Sequence, residues 1–597
     1  MPNRPLATIA ALVAVAALPA QIDPVLRAAL EVLPKGAHTT VFVYLADQVP
    51  LATLVADLDH MNATRRFRHE HVVTSLQKLA AATQPVVRRA IDELVAIDEV
   101  ASVVPFWIWN GFAVRGTRGA IERLALMPEV GQILWAGSDQ PGTEDAIGSV
   151  TAPIDAPAPT FVPETGLLEC KADFLWNLGY TGSDVLVANI DTGVAGNHPA
   201  LASRWRGLQP GVPASAAWHD PIAGTVFPVG RSDHGTHTMG TICGDDGGQN
   251  QIGMAPDAQW IASNPIDAPG TRAQKNVWYN QGIQWMADPD GNPLSVDDVP
   301  DVCGNSWGVR DAANGVGPCS AVFSAALDAA EASTVVFVWS AGNEGTTGPR
   351  VPADRVASTT NSFTVGALEP GSTVIASYSS RGPSTCSPTN NIKPEVSARG
   401  SSVRSSVRNG GYSLLSGTSM AAPHVAGAAA LLRDVWSEAT VTEVKNLLMQ
   451  SAADLGTVGE DNTFGHGRID LQAAYTLLLA QRPRLSLAAM GTRQVVHPGE
   501  TAWTHVSISS YSTSAEPVTL SLELRIDDLP TGLYFVAPVT LVLPAGFHNR
   551  DLPIPVPFSI PTNVDPSLLN RPMEVRAEAV QNNVVLSSAG YRFQIQL

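Results

Sequence analysis

Four short stretches hold the residue types that could do covalent chemistry. In Ser416-Gly-Thr-Ser-Met-Ala-Ala-Pro-His-Val-Ala-Gly427, Ser419 and His424 open an alanine-rich run that reads as a helix. A serine there meets unpaired backbone N–H groups and the positive end of the helix, which suits a hydroxyl that must carry developing negative charge. Five residues along a helix turn a side chain by about 140°. His424 therefore faces away from Ser419 and reads as a packing residue. A lone serine is a poor nucleophile, so its base must come from another part of the chain.

Ser232-Asp-His-Gly-Thr-His-Thr-Met-Gly240 supplies two histidines on the opening turn of an expected helix. His234 and His237, at i and i+3, could share a metal, but the glutamate of the zinc-protease motif is missing and no third ligand is evident. Alternatively His234 is a general base with His237 packed behind it, and Gly235 and Gly240 let backbones approach closely. A purely structural histidine pair stays open. Val185-Leu-Val-Ala-Asn-Ile190 reads as a buried strand ending in Asp191-Thr-Gly193, which puts a carboxylate at the carboxyl edge of a parallel sheet. Asp-Thr-Gly also occurs in aspartic proteases, but their dyad needs a second such loop, and none is present. Val338-Trp-Ser-Ala-Gly-Asn-Glu-Gly345 offers Asn343, either a turn residue or a neutral amide donor for a developing oxyanion. The order Asp191, His234, Ser419 is one of the known orders of a serine nucleophile with its oriented base.

The elements that must position these residues follow from hydrophobic patterning. From Leu167 to about Leu479, short apolar runs such as Thr334-Val-Val-Phe-Val-Trp339 alternate with helical patterns such as Ala321 to Ala332, which implies a parallel sheet covered by helices. Residues 22 to 140 mix a β run, Val41-Phe-Val-Tyr-Leu45, with helical spacing over Leu76 to Ile97, an α+β pattern. Residues 141–166, rich in Pro, Ala and acidic side chains, read as an exposed linker. From about 484 to 597, short alternating runs such as Thr519-Leu-Ser-Leu-Glu-Leu-Arg525 and Val539-Thr-Leu-Val-Leu543 predict an all-β sandwich. Residues 1–20, with one basic residue, an apolar core and a small-residue end, read as a secretory signal. A soluble, exported protein, extracellular or periplasmic, is expected.

Composition narrows the partners. The chain of 597 residues carries 55 acidic against 37 basic side chains, a net charge of −18, which argues against nucleic acid as a partner. No run beyond the signal approaches the length of an integral membrane segment. Five cysteines (Cys170, Cys243, Cys303, Cys319, Cys386) show no Cys-x-x-Cys pair, and Cys303 with Cys319 is the expected disulfide because the two bracket a loop of modest length.

Taken together, Ile190-Asp-Thr-Gly193, His234-Gly-Thr-His237 and Gly417-Thr-Ser-Met-Ala-Ala-Pro-His424 resemble the Asp, His and Ser blocks of the subtilases, the subtilisin-like serine proteases, and the chain is most similar to the bacillopeptidase F type. Trp176-Asn-Leu-Gly-Tyr-Thr-Gly182, Gly253-Met-Ala-Pro256, Ser377-Tyr-Ser-Ser-Arg-Gly-Pro383 and Gly465-His-Gly-Arg468 look like the same framework, over roughly 167–480. The resemblance implies a doubly wound, mostly parallel α/β domain and a serine endopeptidase needing no catalytic cofactor. In it Asp191 orients, His234 is base and then acid, Ser419 attacks, and Asn343 with the Ser419 N–H holds the oxyanion. It further implies that Asn305-Ser-Trp-Gly308 pairs with the backbone of a protein or peptide substrate. Residues 39–140, through Val41–Leu45 and Trp109-Asn-Gly-Phe-Ala113, resemble an inhibitory propeptide, a zymogen's own plug, released by a cut between about 140 and 166. Structural calcium is common in the family, and Asp288-Pro-Asp-Gly-Asn292 sets oxygen ligands at alternate positions (Asp288, Asp290, Asn292), though it also makes a good turn. Ala398-Arg-Gly400 stands where the family has Ala-Pro-Gly, and Gly304 where asparagine is common, which touches loop shape rather than the chemistry. A catalytically silent relative that binds through its C-terminal sandwich is the other class of function.

Overall fold

The computed structural model describes residues 20–481, apart from 144, 147, 149–153, 156–161, 248–250, 357–361 and 390, together with the strands named below beyond Gln481. The expected secretory signal, but for Ala20, lies outside the described residues, as does much of the expected linker.

The N-terminal unit is a five-stranded sheet in the order β1-β5-β2-β4-β3, from β1 (Gln21–Ile22), β2 (His38–Leu45), β3 (Val100–Phe106), β4 (Gly111–Thr117) and β5 (Val130–Gly137), with the long helix Arg65–Val95 packed on β3. Strand alternation gives β2 two apolar faces. Val41, Val43 and Leu45 join Ile91, Leu94, Val114 and Ile133 in the unit's own core, while Phe42 and Tyr44 belong with Phe106 and Trp109 to the core that continues into the next domain. That continuation has a polar seam. Gln284 Oε1 accepts the N–H groups of Trp107 (2.9 Å) and Ile108 (3.2 Å), and Arg65 Nη1 reaches Asp301 at 2.6 Å.

The chain then crosses the next domain through β6 (Ile154–Asp155) and builds a seven-stranded sheet ordered β13-β12-β11-β10-β7-β9-β8. Its strands are β7 (Leu186–Ile190), β8 (Trp218–His219), β9 (Gln259–Ser263), β10 (Val302–Asn305), β11 (Val336–Ser340), β12 (Phe363–Leu368) and β13 (Val396–Arg399), and every neighbouring pair is parallel. The expected α/β domain is thus present, with the apolar runs at 185–190 and 334–339 as its central strands β7 and β11. Order reverses at β7, flanked by β9 and β10, which opens a crevice at the carboxyl ends. Helix Thr418–Val435 lies against β10 to β13 and is buried along almost its whole length, as its alanines permit. Its Gly427 is required by proximity, since a Cβ there would stand 2.3 Å from Met254 Cβ.

A hairpin of β14 (Val403–Ser406) and β15 (Tyr412–Leu415) takes β6 as its third, antiparallel strand. The expected exposed linker is therefore partly built into the domain. Asp145 is fully buried, because an arginine and a tyrosine of the domain hold its carboxylate.

The disulfide differs from expectation. Cys319 pairs with Cys386, with Cα atoms 5.3 Å apart, whereas Cys303 is a buried, free thiol in β10 at the middle of the parallel sheet. Loop length suggested Cys303 with Cys319, but the strand holds Cys303 in the interior, away from the loops that bring the other two together. Beyond Gln481, the described backbone forms two sheets. One contains β16 (Leu485–Gly491), β18 (Thr501–Ser512) and β21 (Gly546–Ser559), and the other β17 (Val495–Val496), β19 (Glu516–Ile526), β20 (Leu529–Leu543), β22 (Met573–Gln581) and β23 (Val584–Ile595). Among the described residues no helix is long and apolar enough to cross a membrane.

Candidate active site

The carboxyl ends of β7, β10 and β11 and the N-termini of two helices meet at one crevice. Asp191 follows β7 directly and is fully buried; its Oδ1 lies 2.7 Å from His234 Nδ1 and accepts the Thr192 N–H at 2.7 Å, while Oδ2 accepts the Thr238 hydroxyl at 3.1 Å. A carboxylate on Nδ1 sets the tautomer in which Nε2 is the ring's proton acceptor. His234 stands in the first turn of helix Asp233–Cys243, capped by Ser232, whose Oγ accepts the His234 N–H at 3.3 Å. The approach of strand and helix depends on Gly235, where a Cβ would lie 2.3 Å from Gly193 O and 3.1 Å from Asp191 Cβ.

Helix Asp233–Cys243 packs on helix Thr418–Val435, which carries Ser419, fully buried, in its first turn. Ser419 Oγ donates to the Ser306 carbonyl at 3.0 Å, and Ser306 Oγ donates to the Ser419 carbonyl at 2.9 Å, so the segment after β10 and the helix start are tied together. His424 is turned away from the crevice: its Nδ1 meets Met420 O at 2.8 Å, and burial pushes its pKa down to about 4. His237 Nε2 lies 3.1 Å from both Val403 O and Ser413 O of the hairpin, and burial pushes its pKa down to about 3. Those contacts occupy Nε2, while Nδ1 is buried without a hydrogen-bond partner.

Asn343 follows β11. Its Oδ1 accepts from the Thr418 N–H (2.9 Å) and the Thr418 hydroxyl (3.0 Å), which turns its Nδ2 into the crevice, where it donates to Gly148 O at 3.0 Å. Thr418 is a positioning residue that the sequence offered only as part of a motif. The segment ending at Gly148 lies along Asn305-Ser-Trp-Gly308: Ala146 forms an antiparallel bridge with Trp307, and Gly308 N–H donates to Asp145 O at 2.9 Å. Further on, Ile154–Asp155 pairs with Leu414 and Ser413 of β15, just ahead of Ser419. Asp145, Ala146 and Gly148 of the chain itself thus lie in the crevice. Trp307 is fully buried against Tyr279, Phe323 and Trp339, so its side chain is core while its backbone forms the edge.

At a distance from the crevice, Asp288, Asp290 and Asp298 bring carboxylate oxygens within 4.8 Å of one another. Asp288 Oδ1 and Asp298 Oδ1 are buried without a hydrogen-bond partner, and burial, with the charge of Asp290 adding to it, pushes both carboxyls up to about 6. Uncompensated buried carboxylate oxygens suit a hard cation. Asp298, outside the five-residue pattern, joins Asp288 and Asp290 in this cluster, and the third expected residue, Asn292, accepts the Leu294 N–H with its Oδ1 (3.3 Å) within a turn.

The subtilase family model matches residues 182–467. Bacillopeptidase F of Bacillus subtilis (strain 168) is 32% identical over 418 residues, covering 67% of this chain but 28% of that protein, so the chain spans little more than a quarter of it. Subtilisin E of the same strain is 33% identical over 312 residues, 52% of this chain and 70% of the relative. Subtilisin of Bacillus pumilus is 32% identical over 310 residues, 52% of this chain and 97% of the relative.

Proposed function

Since the chain belongs to the subtilase family and is a subtilisin-like serine peptidase, we propose that it is a secreted endopeptidase made as a zymogen, with Asp191, His234 and Ser419 as its triad. The observation that carries this reading is the Asp191 carboxylate 2.7 Å from His234 Nδ1, beside the helix whose first turn holds Ser419. His234 Nε2 takes the Ser419 proton as Oγ attacks the substrate carbonyl, and Asp191 stabilises the imidazolium that forms. Asn343 Nδ2 and the Ser419 N–H receive the oxyanion. His234 then gives its proton to the leaving amine, and water hydrolyses the acyl-enzyme by the same steps. Asn305 to Gly308 bind the substrate backbone as an added strand.

The N-terminal unit is the propeptide in this reading. Its support is the core it shares with the catalytic domain through Phe42, Tyr44 and Trp109, and the bridge of Ala146 to Trp307 with Gly148 O on the Asn343 amide. Attached, it blocks substrate; cut near Gly148, it frees the cleft. Calcium, held by Asp288, Asp290 and Asp298, would neutralise buried charge far from the chemistry and act on stability alone. The two C-terminal sheets form a sandwich that follows the catalytic domain.

A serine-directed fluorophosphonate tests this. The secreted wild type should label and appear as a mature chain beginning within 141–166 by mass spectrometry. Ser419→Ala should stay unlabelled and uncut. A wild type that is processed yet unlabelled would favour the silent binding relative and end the proposal.

A further inference from the structure

Asp145 is an acidic side chain taken wholly out of water inside the substrate cleft. Arg272, also fully buried, grips it with two bonds, Nη1 to Oδ2 at 2.5 Å and Nη2 to Oδ1 at 2.9 Å. The Tyr279 hydroxyl donates to Oδ2 at 2.7 Å, and the neighbouring Thr143 hydroxyl to Oδ1 at 3.0 Å. The Asp145 backbone is fixed as well: its N–H donates to Asp267 Oδ1 at 2.6 Å and its carbonyl accepts from Gly308 N–H at 2.9 Å. Arg272 is in turn aimed by Asp311, whose Oδ2 accepts from Nε at 2.9 Å.

Apart from Thr143, every group on this carboxylate belongs to the catalytic domain and remains after the linker is cut. A forked guanidinium with a phenol beside it matches the two oxygens of one carboxylate and cannot make those bonds to an amide or a methyl group. A buried donor left unpaired costs more than a bond never made, so such a pocket discriminates strongly. The position is set by the same strand pairing: Gly148 O is on Asn343 Nδ2, and Asp145 lies three residues earlier in the chain.

We propose that the Arg272–Tyr279 pocket is a substrate subsite for an acidic side chain, three residues ahead of the residue whose carbonyl meets Asn343, and that Asp145 occupies it in the zymogen. This rests on the zymogen reading of segment 141–155. A protein or peptide with an acidic residue in that place is cut faster than one with a neutral residue there, and a basic residue opposes cleavage.

The test uses the purified mature enzyme and internally quenched peptides copying residues 143–150, with Asp, Asn, Ala or Lys at the Asp145 position and cut sites mapped by mass spectrometry. Asp should exceed Asn in kcat/KM by about 10- to 100-fold. In Arg272→Met the ratio should fall to within about 3-fold, and Tyr279→Phe, which keeps the arginine in place, gives a second, smaller fall should Arg272→Met not fold. Asp and Asn peptides cut at the same rate by wild type would overturn the subsite while leaving the peptidase intact. A mature chain that retains residues 141–148 would overturn it too, by making Asp145 a permanent staple. If no peptide is cut and no fluorophosphonate label appears, the zymogen reading fails first, and the subsite with it.

Discussion

Residue by residue, the site is a set of orientations more than a set of groups. Asp191, His234 and Asn343 could be picked out of the sequence because each sits in a short motif at a strand end or a helix start, yet what aims them could not. Thr418 is the clearest case: its N–H and hydroxyl hold Asn343 Oδ1, and its oxygen also accepts from the Gly342 N–H at 3.1 Å. Thr418→Val keeps the shape and the backbone bond but removes the hydroxyl and leaves a buried N–H unpaired, at a cost of about 1–3 kcal/mol. Steady-state kinetics on the mature variant should show kcat lowered about 10-fold with KM changed less than about 2-fold, because the amide is misdirected where charge develops and not where substrate docks. An unchanged kcat would mean that Asn343 is aimed by its backbone alone.

At the scale of elements, the loop after helix Arg272–Ala287 carries its own test. Asp288 and Asp298 are buried with unpartnered oxygens beside Asp290, an arrangement that repels itself unless a cation fills it. In the Ser419→Ala protein, where self-digestion cannot intervene, calcium at about 100 times its dissociation constant should add about 2.7 kcal/mol over a chelator. That is a rise in Tm on the order of 3–4 °C for a unit of this size. Asp298→Asn should lose most of it, and titration calorimetry should show the binding directly. No heat of binding and no shift would leave the buried Asp288 and Asp298 carboxyls held by protonation instead. Sequence pattern found the first two of these aspartates and missed the third, because Asp298 is brought back by the fold of the loop and not by alternation.

For the whole molecule, the decisive contact is between the N-terminal unit and the catalytic domain. His69, on helix Arg65–Val95 and beside Ser333 of the catalytic domain, is fully buried, and burial, with Arg65's charge added, pushes its pKa down to about 4. Its folded pKa lies below the ordinary value of 6.5, so the folded state prefers the neutral ring. The stability from keeping it neutral is fully present above pH 6.5 and is lost as pH falls from there towards 4, up to about 3 kcal/mol. Other buried groups also titrate in this range, so the term is read as a difference. Compared with Ser419→Ala, the double variant with His69→Leu should lose less stability between pH 7 and pH 4.5, measured by melting of the uncut chain. Parallel pH curves for the two would assign the acid response to other groups.

The sequence by itself determined the chemistry and the α/β frame around it. Hydrophobic runs of strand length between helical repeats force a parallel sheet, and Asp191, Asn343 and Ser419 stand at strand ends or a helix start, where local backbone direction already points them towards one edge. Only the tertiary structure decided which distant groups meet. Cys386 and not Cys303 became the partner of Cys319, Asp298 joined Asp288, and a linker aspartate reached Arg272, more than a hundred residues away. Each of these contacts is set by how the chain around it packs, and packing leaves no local periodicity for a sequence to display.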